Sequence, residues 1–182
     1  MDTNLVLFSS YETMLSLVFG LLTVYLSIKI INQLIMKVDF FSMVKQGNIA
    51  VSVFEGTLIF CTLLLVENSI MPAVDALRTM VLATGEVTPR MMFISFSYFI
   101  SFYFISLIFC FLLLIITFYV FIKATTSVDE IAEIKKNNIS VAIMLSIVII
   151  SVTLFIRPAF HNFIGSLVSY DTLEQHQFEN MD

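Results

Sequence analysis

The sequence predicts an all-α, polytopic membrane protein with four transmembrane helices, made by tandem, same-orientation duplication of a two-span unit that carries short interfacial helices. Three observations predict it. Of 182 residues, 59% are hydrophobic and only 13% are charged, and the mean hydropathy of +0.98 exceeds what one soluble core can hide. The apolar residues fall into four long runs, and the chain aligns with itself at an offset of 90 residues. Nineteen Phe with five Gly and three Pro exclude collagen-like and disordered chains. The balance of 9 Lys+Arg against 14 Asp+Glu lacks the basic footprint of a nucleic-acid binder, so no nucleic-acid partner is expected.

The first run centres on residues 14–28 with flanks reaching Leu5 and Met36, enough to cross a hydrocarbon layer of about 30 Å. MDTNLVLFSSYET has no basic leader and no small-residue cleavage site, so this run is expected to stay as a span. The second covers residues 49–66 and is interrupted by Glu55. The third is free of charge between Arg90 and Lys123, longer than a bilayer needs, and is expected to tilt or protrude. The fourth covers residues 139–156 and is expected to end at Arg157. Cys61 and Cys110 sit inside apolar runs and read as small hydrophobes.

Lys and Arg in short loops are retained on the cytoplasmic side. Lys29, Lys37 and Lys45 lie between spans one and two, and Lys123, Lys135 and Lys136 between spans three and four. The expected topology is a plasma-membrane protein with both termini extracytoplasmic and a short acidic tail (Asp171, Glu174, Glu179, Asp182) as a solvated end.

At the 90-residue offset, Val38/Val128, Asp39/Asp129, Lys45/Lys135, Asn48/Asn138, Ile49/Ile139, Val51/Val141, Ile59/Ile149 and Leu64/Leu154 are identical. The chain therefore divides into a first two-span repeat, residues 1–84, and a second, residues 85–182, within one integral membrane domain. Each repeat is expected to hold a short cytoplasmic helix opened by Asp39 or Asp129, with Ser127 and Glu130 forming a capping box in the second and Phe41/Val44 mirrored by Ile131/Ile134. Gly47-Asn48 and Asn137-Asn138 are expected to close that helix and cap the returning span. Beyond it, Ile70, Ala73, Val74 and Leu77 align with Phe160, Phe163, Ile164 and Leu167, which predicts an amphipathic interfacial helix in each copy. Two repeats of one orientation are related by an axis along the membrane normal, unlike an inverted-repeat transporter.

The paired segments KQGNIAVSVFEG and KKNNISVAIMLS, each opening an even-numbered span, resemble those of the YjfL-like bacterial inner-membrane proteins of unknown function. The resemblance implies a small four-span protein with an Asn-centred motif carried twice. Phe54 and Glu55 in the first copy, and Met144 and Leu145 in the second, replace the small residues usual after the motif.

Glu55 is the sharpest candidate for an intramembrane polar site. A carboxylate below the headgroups costs several kcal/mol unless paired or protonated. It suggests a proton, ion or inter-subunit site, and its bland alternative is a tie to hydroxyls such as Thr23, Ser27 or Thr117. Glu67 and Arg157 hold opposite charges at equivalent positions and form a candidate inter-repeat pair. Ser97, Ser101 and Ser106, with Tyr98 and Phe102 beside them, suggest a polar seam of inter-helix hydrogen bonds. His161 and His176 have no metal-ligand spacing, and no metal or cofactor is expected. There is no phosphate loop, H-E-x-x-H or nucleophile elbow, so no enzymatic activity is expected.

Two functions fit this pattern. The first is a non-enzymatic, homo-oligomeric scaffold or sensor that couples the lipid bilayer to a soluble cytoplasmic partner docked on Lys45, Lys135 and Lys136; a membrane subunit of a stress-response or phage-defence pair fits that plan. The alternative is an oligomeric ion channel or proton-coupled conduit with Glu55 repeated around the oligomer axis.

Overall fold

The protein, seen in a computed structural model, is described over residues 3–33, 40–125 and 129–168. Its elements are helices: α1 (Thr3–Ile31), α2 (Phe40–Lys45), α3 (Ile49–Val66), α4 (Ile70–Thr84), α5 (Pro89–Ala124), α6 (Glu130–Lys135) and α7 (Ile139–Ser166), with a 3₁₀ turn at Glu67–Ser69 joining α3 to α4. Four helical stretches, α1, α3 with α4, α5 and α7, are long and apolar enough to cross a membrane. At about 1.5 Å per residue, α5 is roughly 54 Å long and outreaches a bilayer. It is a multi-pass membrane protein built wholly of helices among the described residues.

The duplication is visible in the backbone. Helix α2 and α6 begin and end 90 residues apart, and so do the starts of α3 and α7. The turns between them superimpose bond by bond. Gln46, Gly47 and Asn48 donate their amides to Ser42, Val44 and Met43, and Lys136, Asn137 and Asn138 donate theirs to Ala132, Ile134 and Glu133. This chain reversal needs a left-handed residue after the short helix, supplied by Gly47 at φ 80° and by Asn137 at φ 67°. Asn48 and Asn138 then cap α3 and α7, accepting from the amides of Val51 and Val141. Asp129 caps α6 by accepting from Ala132 N–H. Its expected counterpart Asp39 lies outside the described residues, as do Ser127, His176 and the acidic tail.

The cap of α6 is Asp129, as expected, and Glu130, buried, accepts from the Thr125 hydroxyl, while its expected capping-box partner Ser127 lies outside the described residues. The structure corrects three expectations. Val44 does not mirror Ile134: Ile134 is fully buried and Val44 is exposed, because α6 packs down on α3 and α7. The fourth span does not stop at Arg157. Helix α7 runs unbroken through Pro158 to Ser166, so the second copy has no separate interfacial helix. In the first copy the chain does break, at the 3₁₀ turn, and α4 forms a distinct helix with Ala73, Val74 and Leu77 buried against α5 and α1. There Pro72 occupies the first turn, where a missing N–H costs nothing.

Helix α3 is the centre of the bundle. It packs most extensively on α7, its own counterpart, and also on α1 and α5. Phe54, Leu58, Cys61 and Leu65 from α3 join Leu145 and Ile149 from α7 and Cys110 and Leu114 from α5 in one core. A second cluster joins Leu15 of α1, Ala73 of α4 and Phe99, Tyr103 and Leu107 of α5. The outward faces of α1, α5 and α7 are apolar, as lipid contact requires: Leu17, Leu21, Phe104, Ile108, Ile147 and Phe155 are exposed.

Candidate functional site

Polar groups gather at three levels. At the end that carries α2 and α6, the Asn48 side chain, buried, donates to the carbonyls of Lys135 (2.9 Å) and Ile134 (3.3 Å) while accepting from Val51 N–H. The Asn137 side chain returns the contact, accepting from Ala50 N–H at 3.0 Å. These bonds occupy the last carbonyls of α6 and satisfy free amides at the start of α3. Asn138 behaves differently: its amide donates to Glu133 within its own copy at 2.9 Å, and Lys136 pairs with the same carboxylate at 3.0 Å. Both contacts hold the Glu133 carboxyl below the usual carboxylate range, the Asn138 bond first. Lys45 and Lys136 are exposed and Lys135 is half-buried.

At the middle level Glu55 is fully buried, and neither carboxyl oxygen has a hydrogen-bond partner. The hydroxyls expected to tie it do not. Thr23 bonds the Phe19 carbonyl and Tyr103, and the Ser27 hydroxyl is itself buried without a partner. Glu55 is buried inside the helix bundle, so a path between subunits through it would require a rearrangement of α3. The serine seam also resolves into separate parts. Ser97 and Ser101 donate to carbonyls of their own helix on its exposed face, while Ser106 is buried without a partner.

At the far end Arg157 grips Glu67, its Nη2 lying 3.1 Å from each carboxylate oxygen. Glu67 and Arg157 are 90 residues apart, so the pair joins equivalent positions of the two copies. Around it Glu12, Asn68 and His161 line a recess of about 210 Å³. The recess shares Ser16, Glu67 and Ile70 with a crevice of about 440 Å³ between α1, α3 and α5, walled by Phe19, Phe60, Leu64 and Phe99. Phe19 meets Phe99 edge-on with ring centres 4.5 Å apart, and Thr23 and Tyr103 share a hydrogen bond of 3.0 Å in its wall.

Residues 92–173 match the model of Domain of Unknown Function (DUF350). The matched stretch is less than half of the chain, and its limits shifted back by the repeat offset fall at residues 2 and 83, so what matches is the second copy of the duplication. No curated protein and no solved structure matches the chain.

Sequence reasoning identified Asn48, Asn138, Asp129, Glu67 and Arg157 from the duplication itself. It missed Ser95, which is buried and bridges three helices, its hydroxyl donating to the Ala73 carbonyl at 2.8 Å and lying 3.3 Å from the Tyr11 hydroxyl. It also missed the crevice. Thr23 and Tyr103 lie 80 residues apart, off the repeat register, so no periodic signal links them.

Proposed function

We propose that the protein is a non-enzymatic, homo-oligomeric scaffold or sensor of a bacterial inner membrane, with both ends of the chain outside and α2 and α6 facing the cytoplasm, where they dock a soluble partner. The bond from Asn48 to the α6 carbonyls carries this reading. It fastens the first copy's returning span to the second copy's short helix, so the lysine-bearing end is one plate rather than two independent loops. Lys45 and Lys136, exposed on it, offer a partner cationic contacts. The likeness of the paired Asn motif to YjfL-like inner-membrane proteins supports the location, and the preponderance of lysine at this end supports the orientation. Stress response or phage defence is the setting such a membrane subunit would serve.

The test is site-specific photocrosslinking from the plate in native membranes, comparing the wild type with Lys45→Glu and the Lys135→Glu/Lys136→Glu double variant. A defined adduct that disappears on charge reversal supports docking there. An adduct that persists unchanged removes those lysines from the dock.

A second reading is favoured by the unpartnered Glu55 carboxyl: a proton- or ion-coupled conduit within an oligomer. Loss of ion flux in Glu55→Gln proteoliposomes with assembly intact supports it, and unchanged flux removes it.

A further inference from the structure

The polar recess and the apolar crevice adjoin, sharing Ser16, Glu67 and Ile70 in their linings, and the chemistry changes from one to the other. The recess holds both signs of charge: Arg157 with Glu67, then Glu12, with the imidazole of His161 beside them. Arg157 and Glu67 offset each other, which leaves Glu12 as the surplus anion, while a guanidinium fork with five donors keeps N–H groups beyond the Nη2 that holds Glu67. Below the shared Ser16, Glu67 and Ile70, the walls become aromatic and aliphatic, and Phe60 is half-exposed at the rim, so the crevice opens sideways between α1 and α3. At about 440 Å³ it lies in the range of formed ligand pockets.

From this we infer that the cleft between α1, α3 and α5 is a lipid-binding site selective for a phospholipid with a zwitterionic, primary-ammonium headgroup, phosphatidylethanolamine. The ammonium lies against Glu12, the phosphate against Arg157 and His161, and one acyl chain enters the crevice. A quaternary choline headgroup has no N–H to donate to Glu12, and an anionic glycerol headgroup places no cation there. The site is independent of the cytoplasmic dock, which lies at the opposite ends of α3 and α7.

The chain has no Trp, so Phe60→Trp introduces a single reporter on the rim of the crevice. The full-length variant is reconstituted in phosphatidylcholine vesicles doped with phosphatidylethanolamine or phosphatidylcholine brominated on the acyl chains, at equal mole fraction. Phe155→Trp, on the open face of α7, reports bulk lipid. Stronger quenching by the brominated ethanolamine lipid is expected at the rim and not at position 155. Adding Glu12→Gln should reduce that preference roughly threefold, the size of one partly exposed ion pair. Adding Gly20→Phe should abolish it, because Gly20 lines the crevice and a Cβ there enters open space. Circular dichroism and gel filtration check that each variant folds, and Ser16→Leu serves as the second plug. Equal quenching by the two lipids at position 60, the same preference at both reporters, or a preference that survives a folded plugged variant would each overturn the assignment.

Discussion

The two copies of the repeat agree where the backbone turns and differ where side chains cross between them. Both use the same hydrogen bonds to leave the short helix, a left-handed residue at the same position and the same Asn cap. Yet Asn48 reaches into the other copy, whereas Asn138 turns back to Glu133. Position 55 is Glu and its counterpart 145 is Leu, both fully buried. At the equivalent positions where they touch, one copy carries Glu67 and the other Arg157. Two identical units meeting there would bring like charges together. Joining the units in one chain lets the halves diverge, so a repulsive contact becomes an ion pair. Asymmetry is therefore concentrated at the seam between copies, and the shared turns mark what either copy needs to fold.

The widest gap between the copies is expected at the Asn caps. Asn48→Ala removes a cap bond and two bonds to α6 carbonyls, and should lower stability by about 3 kcal/mol. Asn138→Ala removes a cap and a partly exposed bond, and should lower it by about 1 kcal/mol. Unfolding both variants by SDS titration in mixed micelles measures the difference. Equal losses would mean that the Asn48 bonds across the seam contribute nothing beyond capping.

Making the first copy resemble the second at the buried position should work in the opposite direction. Glu55→Leu replaces a carboxyl with no partner by the residue its counterpart already carries, and should stabilise the protein by about 2 kcal/mol in the same assay. Destabilisation would reveal a polar partner at Glu55, and with it a reason for the first copy to retain an acid.

The charge pair comes next in size. Its side chains are partly exposed, so the coupling should be at most about 1 kcal/mol and should weaken with salt. Glu67→Arg and Arg157→Glu should each destabilise slightly, and the double exchange should restore what the single changes lose. A double-mutant cycle measures that coupling, and additivity across the cycle would show that the two residues are merely adjacent.

Much of this seam was legible in the sequence because duplication converts three-dimensional equivalence into a fixed offset. The four spans follow from the apolar runs, and the Asn caps, the Asp129 cap and the Glu67–Arg157 pair follow from reading position n beside position n + 90. What the offset hides is whatever breaks the symmetry. Pro158 predicts a boundary, but the helix continues through it, while the first copy breaks at Glu67–Ser69 with no proline inside the turn. Ser95 and the Thr23–Tyr103 bond join helices at unrelated positions. The direction in which Asn48 or Asn138 points depends on how α6 packs down onto α3, a tertiary contact that local capping rules do not contain.

The mildest difference between the copies is open to titration. In the second copy Glu133 accepts from Asn138 and Lys136, and both contacts favour its ionised form. Position 43 of the first copy is Met, which cannot ionise. A carboxyl whose folded value lies below its ordinary value of 4.5 contributes stability above that ordinary value and loses it as pH falls through the lower, folded value. The α6 turn should therefore loosen on acidification below about 4.5 while the α2 turn does not respond. Carbon-detected NMR of the Glu133 carboxyl measures the midpoint directly. In Asn138→Ala that midpoint should rise toward the ordinary value, since its largest single cause is gone, and Lys136→Met, which removes a hydrogen bond and a charge, should raise it as well. A midpoint indifferent to Asn138 would mean that the side chain does not bond Glu133, and would open the way for Asn138 to reach the first copy's α2 as Asn48 reaches α6.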